Sequence, residues 1–181
     1  QAYREILLKC IKNGVLLNYD EVVLTSDILF GPFFPLKEMF ISMSKRECSY
    51  WGITKREMMV GPDNNIEQSY IDDYFFVLRR GIYTLDLFRN FCVEGKNEGK
   101  GFGKQFQEYF TKYTGEVYVN TEEYRQDNPA DNIDYSEYLT YELIRKKRLP
   151  FLKCRLFKNL DGLSISFREN LRRSFQYIKE D

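Results

Sequence analysis

The chain has 181 residues, of which 43% are hydrophobic and 30% are charged, and its 27 basic and 27 acidic side chains give a net charge of zero. This composition is typical of a single folded domain and excludes wholesale disorder, while the zero net charge removes the usual electrostatic footprint of a nucleic-acid-binding protein. The sequence has no histidine, which excludes Ser-His-Asp and Cys-His catalysis, so a general base would be a carboxylate or, less often, tyrosine, lysine or cysteine.

The cysteines and the apolar runs predict the cellular location of the protein. Cys10, Cys48, Cys92 and Cys154 are scattered without a CxxC pair, so we expect reduced thiols rather than a zinc site. No apolar run approaches the ~20 residues that a membrane span requires, and the first residues, "QAYREILLKC", lack the layout of a signal peptide. We therefore expect a cytoplasmic protein, with the inner face of the membrane as an alternative location.

Hydrophobic spacing predicts helices and strands in alternation through the first half of the chain. Residues 2–13 place apolar side chains on one helical face, and Gly14 is a typical C-terminal stop. The run "DEVVLTSD" (20–27) predicts a short buried strand. Pro35 then opens a helix through "PLKEMFISMSK", and "CSYWGIT" (48–54) predicts the next strand.

The second half continues the alternation after a polar loop at 55–69. Its predicted elements, in chain order, are a strand at 72–80 ("DDYFFVLRR"), a helix at 83–93, a glycine-rich break ("GKNEGKGFGK"), a helix at 104–113, a short strand ("EVYV"), a serine-capped helix at 136–148 and a final helix from about 164. Such alternation predicts an α/β fold with a mostly parallel sheet flanked by helices. We expect one α/β domain over 1–160 and a C-terminal amphipathic helix over 161–181.

Ligands of such a sheet bind at the carboxyl ends of its strands, which makes acids near strand ends candidates for function. Asp27 follows a predicted strand, where it would either hold a divalent cation or only cap the following turn. Asp72 and Asp73 precede an apolar strand, where one of them would be a general base or both would end a loop in water. Because side chains alternate along a strand, at most one of the two is expected to be catalytic.

Three other features have both a structural and a functional interpretation. "GKGFGK" lacks the GxxxxGK[ST] pattern, so it predicts a flexible loop, although Lys100 or Lys104 would meet an anion near the next helix start. Trp51 and Thr54 approach a strand end, whereas most other aromatic residues fall on core-facing stripes. The C-terminal helix has basic residues beside its apolar stripe, which predicts either peripheral membrane association or, more commonly, a helix docked on the domain.

Four stretches of the chain resemble, in the same order, the motifs of a known family. They are "YDEVVLTSDILFGPFFPLKEMF", "CSYWGIT", "QSYIDDYFFVLRRGIY" and "NPADNIDYSEYLTYELIRKKRLPFLKCRLF". They resemble the rhamnan synthesis protein F family, which comprises bacterial glycosyltransferases of cell-wall and capsule polysaccharide assembly. The resemblance implies a GT-A-like core that binds a nucleotide-sugar donor, with a glycan or lipid-linked acceptor. It also implies that the first strands of the nucleotide-binding half are missing from this chain.

The first two blocks of the resemblance imply residues that bind the donor. Asp27 matches a family acid that holds Mg²⁺ or Mn²⁺ together with the diphosphate of the donor. Ser26, beside it, stands where the family usually has asparagine. Trp51 and Thr54 match the second block, and Trp51 would pack on a sugar or on the acceptor.

The third block of the resemblance implies the catalytic acids. It holds extra residues, so its equivalent is either Gln68–Tyr70 or Asp72–Tyr74. Gln68 and Lys104 complete the expected donor-binding set, and Asp72 or Asp73 would be the base of an inverting transfer. These assignments predict a glycosyltransferase that moves a deoxysugar such as rhamnose onto a polysaccharide. The alternative is a non-catalytic binding or scaffold module of a polysaccharide-assembly system.

Overall fold

The computed structural model describes residues 2–56, 69–95, 100–124, 134–158 and 165–180. Within these ranges the helices are α1 (Ala2–Lys12), α2 (Leu36–Ser44), α3 (Arg80–Tyr83), α4 (Asp86–Glu94), α5 (Phe102–Tyr109), α6 (Tyr135–Tyr138), α7 (Thr140–Lys147), α8 (Arg155–Lys158) and α9 (Ile165–Glu180). The strands are β1 (Glu21–Thr25), β2 (Leu29–Phe30), β3 (Tyr50–Gly52), β4 (Lys55–Arg56), β5 (Tyr70–Ile71), β6 (Phe75–Arg79), β7 (Gly115–Val117) and β8 (Leu152–Lys153). The predicted α/β class is confirmed.

The main sheet has four strands in the order β1-β6-β3-β7, and most of its pairs are antiparallel. β6 runs antiparallel to both of its neighbours, β1 and β3, whereas β3 and β7 are parallel. The prediction of a mostly parallel sheet is therefore wrong. Parallel neighbours need a long crossover connection, usually a helix. Between β3 and β6 the chain instead forms β4 and β5, which pair antiparallel and bring β6 back beside β3.

The central strand β6 is buried on both faces and divides the core into two clusters. Phe76 and Leu78 join the cluster that packs against α1, α4 and α5. Phe75 and Val77 point the other way and join the cluster that contains side chains of α2, α7 and α9. This alternation follows from the period-2 geometry of a strand. The result is a three-layer arrangement with helices on both faces of the sheet.

The strand β1 lies at an edge of the sheet, where it pairs with β6. Of its five residues only Leu24 is buried, while Val23 and Thr25 are exposed. The prediction of a buried strand is therefore wrong in this respect. A continuous apolar run looks the same in a central strand and in an edge strand, because position in the sheet depends on which other strands pair with it.

Helices α7 and α9 contribute side chains to the second cluster. α9 packs its Leu171 and Ser174 inward against the domain, so the predicted long C-terminal helix is confirmed. The helix predicted at 136–148 is split at Leu139 into α6 and α7. Its cap is not the predicted serine but Asp134, whose Oδ1 accepts a hydrogen bond from the backbone N–H of Ser136 at 3.2 Å.

No helix within the described ranges is long and apolar enough to cross a membrane.

Candidate functional site

One edge of the main sheet gathers polar groups from several strands. The antiparallel register brings the carboxyl ends of β1 and β3 beside the amino end of β6. The backbone N–H of Ser26 donates to the carbonyl oxygen of Tyr74 at 3.2 Å, and that of Asp72 donates to the carbonyl oxygen of Thr54 at 3.0 Å. Residues predicted from three separate motifs are thus held together by the backbone.

Asp72 lies within a cluster of buried ion pairs at this edge. Its side chain is 6% exposed and both carboxylate oxygens are engaged. The Nε of Arg56 donates to Oδ1 at 3.1 Å, and the Nζ of Lys153 donates to Oδ2 at 2.9 Å. Lys153 Nζ also donates to Oδ2 of Asp134 at 2.5 Å and approaches Oε1 of Glu137 at 3.9 Å. We call Arg56, Asp72, Asp134, Glu137, Lys153 and Arg155 the Asp72 cluster.

The charges of the Asp72 cluster balance, since three acids face three cations. Arg155 bridges the two acids that lie nearer to solvent, at 3.2 Å from Oδ2 of Asp134 and in contact with Oε1 of Glu137. Burial alone would raise the pKa of Asp134, but the charge and hydrogen bond of Lys153, with smaller effects of Ser136 and Arg56, together lower that pKa. Burial and the neighbouring Asp134 raise the pKa of Glu137. A buried cluster of this kind persists only because each charge is paired.

Tyr74 and Thr54 extend this cluster into the core. Their hydroxyl groups are 2.6 Å apart, and Lys153 Nζ lies 4.7 Å from the centroid of the Tyr74 ring. Burial raises the pKa of Tyr74 well above its ordinary value, with a smaller opposing effect from the hydrogen bond with Thr54. Tyr74 is therefore neutral and serves as a hydrogen-bonding and packing residue rather than as a base.

Asp73 follows Asp72 in the turn between β5 and β6, but its neighbours are different. It lies at the amino end of α5, so close to Gly101 that a Cβ there would be 2.5 Å from Oδ2 of Asp73. A carboxylate at this end of a helix is stabilised by the unpaired N–H groups and the helix dipole. Burial raises the pKa of the Tyr3 phenol, and the negative charges of Asp73 and then Asp27 raise it further. Both acids therefore act on the same phenol.

Asp27 is exposed at the carboxyl end of β1, and Ser26 beside it is half-buried. The Ser26 Oγ is shielded from solvent and has no hydrogen-bond partner among the described residues. No group of three or more His, Cys, Asp or Glu side chains that could hold a metal ion occurs in the described parts of the chain. Asp27 nevertheless offers the hard oxygen ligand that Mg²⁺ takes when it is bound through one or two carboxylates and the phosphates of a substrate.

A polar cleft of about 320 Å³ opens beside the ends of β3, β5 and β7. Lys55, Tyr70, Asn120 and Glu122 are among its lining residues, and Lys55 Nζ lies 2.6 Å from Oε1 of Glu122. Lys104 Nζ sits 5.5 Å from the centroid of the Tyr70 ring. The structure therefore places Lys104 next to this cleft rather than at the Asp72 cluster.

One predicted donor-binding residue, Trp51, lies in the core. Trp51 is completely buried, its Nε1 donates to Oε1 of Glu21 at 3.0 Å, and its ring meets Phe40 at a centroid distance of 5.2 Å. In this position its ring has no face open to a sugar, and it is a core residue. Gln68 lies outside the described residues.

Sequence reasoning missed every member of the Asp72 cluster except Asp72 itself, namely Arg56, Asp134, Glu137, Lys153 and Arg155. The sequence does contain an indication that Lys153 is buried, because it follows Phe151 and Leu152 in an apolar run. A lysine within a buried strand is almost always paired with an acid. The sequence alone, however, does not show which acid pairs with it.

Comparisons with known proteins give one finding. The family model described as rhamnan synthesis protein F matches residues 1–180. No curated protein and no solved structure matches the chain.

Proposed function

The chain belongs to the rhamnan synthesis protein F family, and on that basis we propose that it is a glycosyltransferase acting in the synthesis of a rhamnose-containing polysaccharide. It would move a deoxysugar such as rhamnose from a nucleotide-sugar donor to a cell-wall or capsular glycan. The observation that carries the proposal is the convergence of Ser26, Asp27, Thr54 and the Asp72–Tyr74 segment at one edge of the sheet. The proposal includes a GT-A-like core that binds the nucleotide-sugar donor.

Asp27 is the proposed ligand for a divalent cation. It is exposed, so its carboxylate is open to solvent, and it lies two residues after the end of β1, at the edge where the other candidates gather. A bound Mg²⁺ or Mn²⁺ would neutralise the charge that develops on the leaving diphosphate. The Ser26 hydroxyl has no protein partner among the described residues but is shielded from solvent, so it would hydrogen-bond the donor only after its side chain rotates outward.

The polar cleft is the proposed binding region for the transferred sugar or the acceptor. Tyr70 offers a half-exposed aromatic ring, and Lys104 adds a cation beside it. Asn120 contributes an amide at the rim, with its Oδ1 accepting from the backbone N–H of Glu122 at 2.9 Å. Sugars are held by this combination of an aromatic face and a few fixed polar groups.

Asp73 is the proposed general base if the transfer inverts configuration. A base must accept a proton, and both oxygens of Asp72 already accept hydrogen bonds from Arg56 and Lys153. Protonation of Asp72 would break an ion pair in a buried site, which is costly. Asp73 is only half-buried. Asp72 would therefore position the Asp72–Tyr74 segment, and Asp73 would accept the proton of the attacking hydroxyl.

The test is release of nucleoside diphosphate from nucleotide-activated rhamnose, with a glycan acceptor and Mg²⁺ or Mn²⁺. We expect Asp27→Asn and Asp73→Asn each to lower turnover by about 100-fold or more. Asp86→Asn, which changes an exposed acid in the first turn of α4, is the matched control and should keep full turnover. Circular dichroism is the check that each variant folds. Absence of turnover by the wild-type chain would refute the enzymatic proposal, and undiminished turnover of Asp27→Asn would remove Asp27 from the mechanism.

A second candidate function is a non-catalytic binding module of a polysaccharide-assembly system. The observation that favours it is the complete engagement of Asp72 in internal ion pairs, which is what a structural carboxylate shows. Calorimetric titration with nucleotide sugars and Mn²⁺, and separately with glycan fragments, distinguishes the two functions. A heat of binding on titration with glycan, together with none on titration with nucleotide sugar, favours the binding module.

A further inference from the structure

A stripe of basic side chains lies on the outer side of α9. Arg168, Arg172 and Lys179 are all exposed and occupy positions i, i+4 and i+11, which places them on one side of the helix. Arg172 pairs with Glu169 through a hydrogen bond of 3.0 Å. In the described part of the chain, neither Arg168 nor Lys179 forms an ion pair. Because the whole chain has zero net charge, this stripe is a local excess of positive charge.

Apolar side chains border the same stripe. Phe175 lies at position i+7 of the stripe, and its ring contacts Phe30 at a centroid distance of 6.0 Å. Phe30 is 48% exposed, and Ile165, one turn before Arg168, is 79% exposed. Large apolar side chains exposed beside cations are typical of surfaces that meet a membrane.

The other side of α9 is used differently. Leu171 and Ser174 face the core, and the guanidinium of Arg173 packs over the Tyr141 ring of α7 at 4.2 Å. The basic stripe therefore points away from α7. Since the apolar face of α9 is already packed against the domain, the helix cannot insert into a bilayer as a free amphipathic helix does.

We propose that the α9 basic face, formed by Phe30, Ile165, Arg168, Arg172 and Lys179, docks the protein on the anionic headgroups of a phospholipid bilayer. The cations contact lipid phosphates, while Phe30 and Ile165 enter the interface. Such binding is peripheral and reversible, and it needs no spanning helix. It is independent of the proposed transferase activity, because none of these residues belongs to the candidate site.

A membrane fits this surface better than a nucleic acid does. Base stacking uses aromatic faces within a continuous basic groove. Here the most exposed apolar residue is an aliphatic one, Ile165, and the acid Glu169 interrupts the basic stripe. An aliphatic side chain gains free energy from hydrocarbon but cannot stack on a base.

The test is flotation of the full chain with vesicles of phosphatidylcholine alone or with about 30% phosphatidylglycerol, since anionic lipid provides the attracting potential. We expect binding to the anionic vesicles only, and weaker binding as the salt concentration rises. The variant Arg168→Gln/Lys179→Gln should lower the partition coefficient about 30-fold, because it removes two cations from the surface. Ile165→Ser should lower it several-fold without disturbing the core, since this side chain is 79% exposed.

The charge-matched control is Arg145→Gln/Lys146→Gln, which removes two exposed cations from α7. Arg145 lies one helical turn from Tyr141, on the side that Arg173 covers, so this variant should keep binding within about threefold of wild type. An equal loss of vesicle binding in the two double variants would overturn the proposal. Wild-type binding to neutral vesicles as strong as to anionic vesicles would also overturn it. Retention of a single-stranded oligonucleotide without vesicle binding would assign the surface to nucleic acid instead.

Discussion

Replacement of Lys153 by methionine should destabilise the protein strongly. The Lys153 side chain is 5% exposed and neutralises Asp72, Asp134 and, more distantly, Glu137. Removal of one partner from a buried ion pair typically costs about 3–5 kcal/mol, because the remaining charge is left without compensation. Arg56 still pairs with Asp72, but its side chain is 41% exposed and screens a buried charge poorly. We therefore expect a loss of about 3 kcal/mol, at the lower end of that range.

The single tryptophan makes urea denaturation a direct assay for this loss. Trp51 is completely buried, so its fluorescence reports the opening of the core. With a urea dependence of roughly 2 kcal/mol per molar, the Lys153→Met midpoint should fall by about 1.5 M. The control is Lys100→Met, which breaks the exposed ion pair with Glu108 at 2.9 Å. Pairs this exposed contribute roughly 0–1 kcal/mol, so its midpoint should move by less than about 0.5 M.

The result that would refute this reasoning is a Lys153→Met midpoint equal to that of the control or higher than that of the wild type. It would mean that the cost of burying these charges cancels their attraction, as occurs in some buried ion pairs. A double-mutant cycle with Asp72→Asn then separates the two effects. If Lys153 and Asp72 stabilise each other, the loss in the double variant should be smaller than the sum of the single losses.

The lowered pKa of Asp134 means that its stabilising contribution is present above its unfolded pKa, near 3.8, and is lost as the pH falls through the lower folded value. The difference between the urea midpoints of wild type and Lys153→Met should therefore be smaller at about pH 3 than at about pH 7, and an unchanged difference would contradict this. In α5, Gly103→Ala should destabilise by about 1–3 kcal/mol despite the better helix propensity of alanine, because the new Cβ would lie 2.8 Å from the carbonyl oxygen of Ile71. Gly81→Ala in α3, where the new Cβ would meet no atom within 4 Å apart from its chain neighbours and its own helix backbone, should instead be neutral or stabilise by up to about 1 kcal/mol, as thermal melting would show.

The sequence by itself determined the α/β class, the order of the main elements and the family. Helical spacing located α1, and Gly14, in the left-handed conformation at φ 67°, ends it as predicted. The start of α2 was likewise predictable from Pro35, which is its N-cap residue. These features depend on residues close together in the chain, so local patterns are enough to encode them.

Only the tertiary structure decided the direction and neighbours of the strands and the partners of the buried charges. The β4–β5 pair turns β6 antiparallel to β3, and the "VVLTSD" strand lies at an edge instead of in the centre. Lys153 meets Asp72 across 81 residues of sequence, and Trp51 is enclosed by side chains from both earlier and later segments. Contacts at such separations depend on how all the elements pack together, and a local pattern is compatible with many arrangements of them.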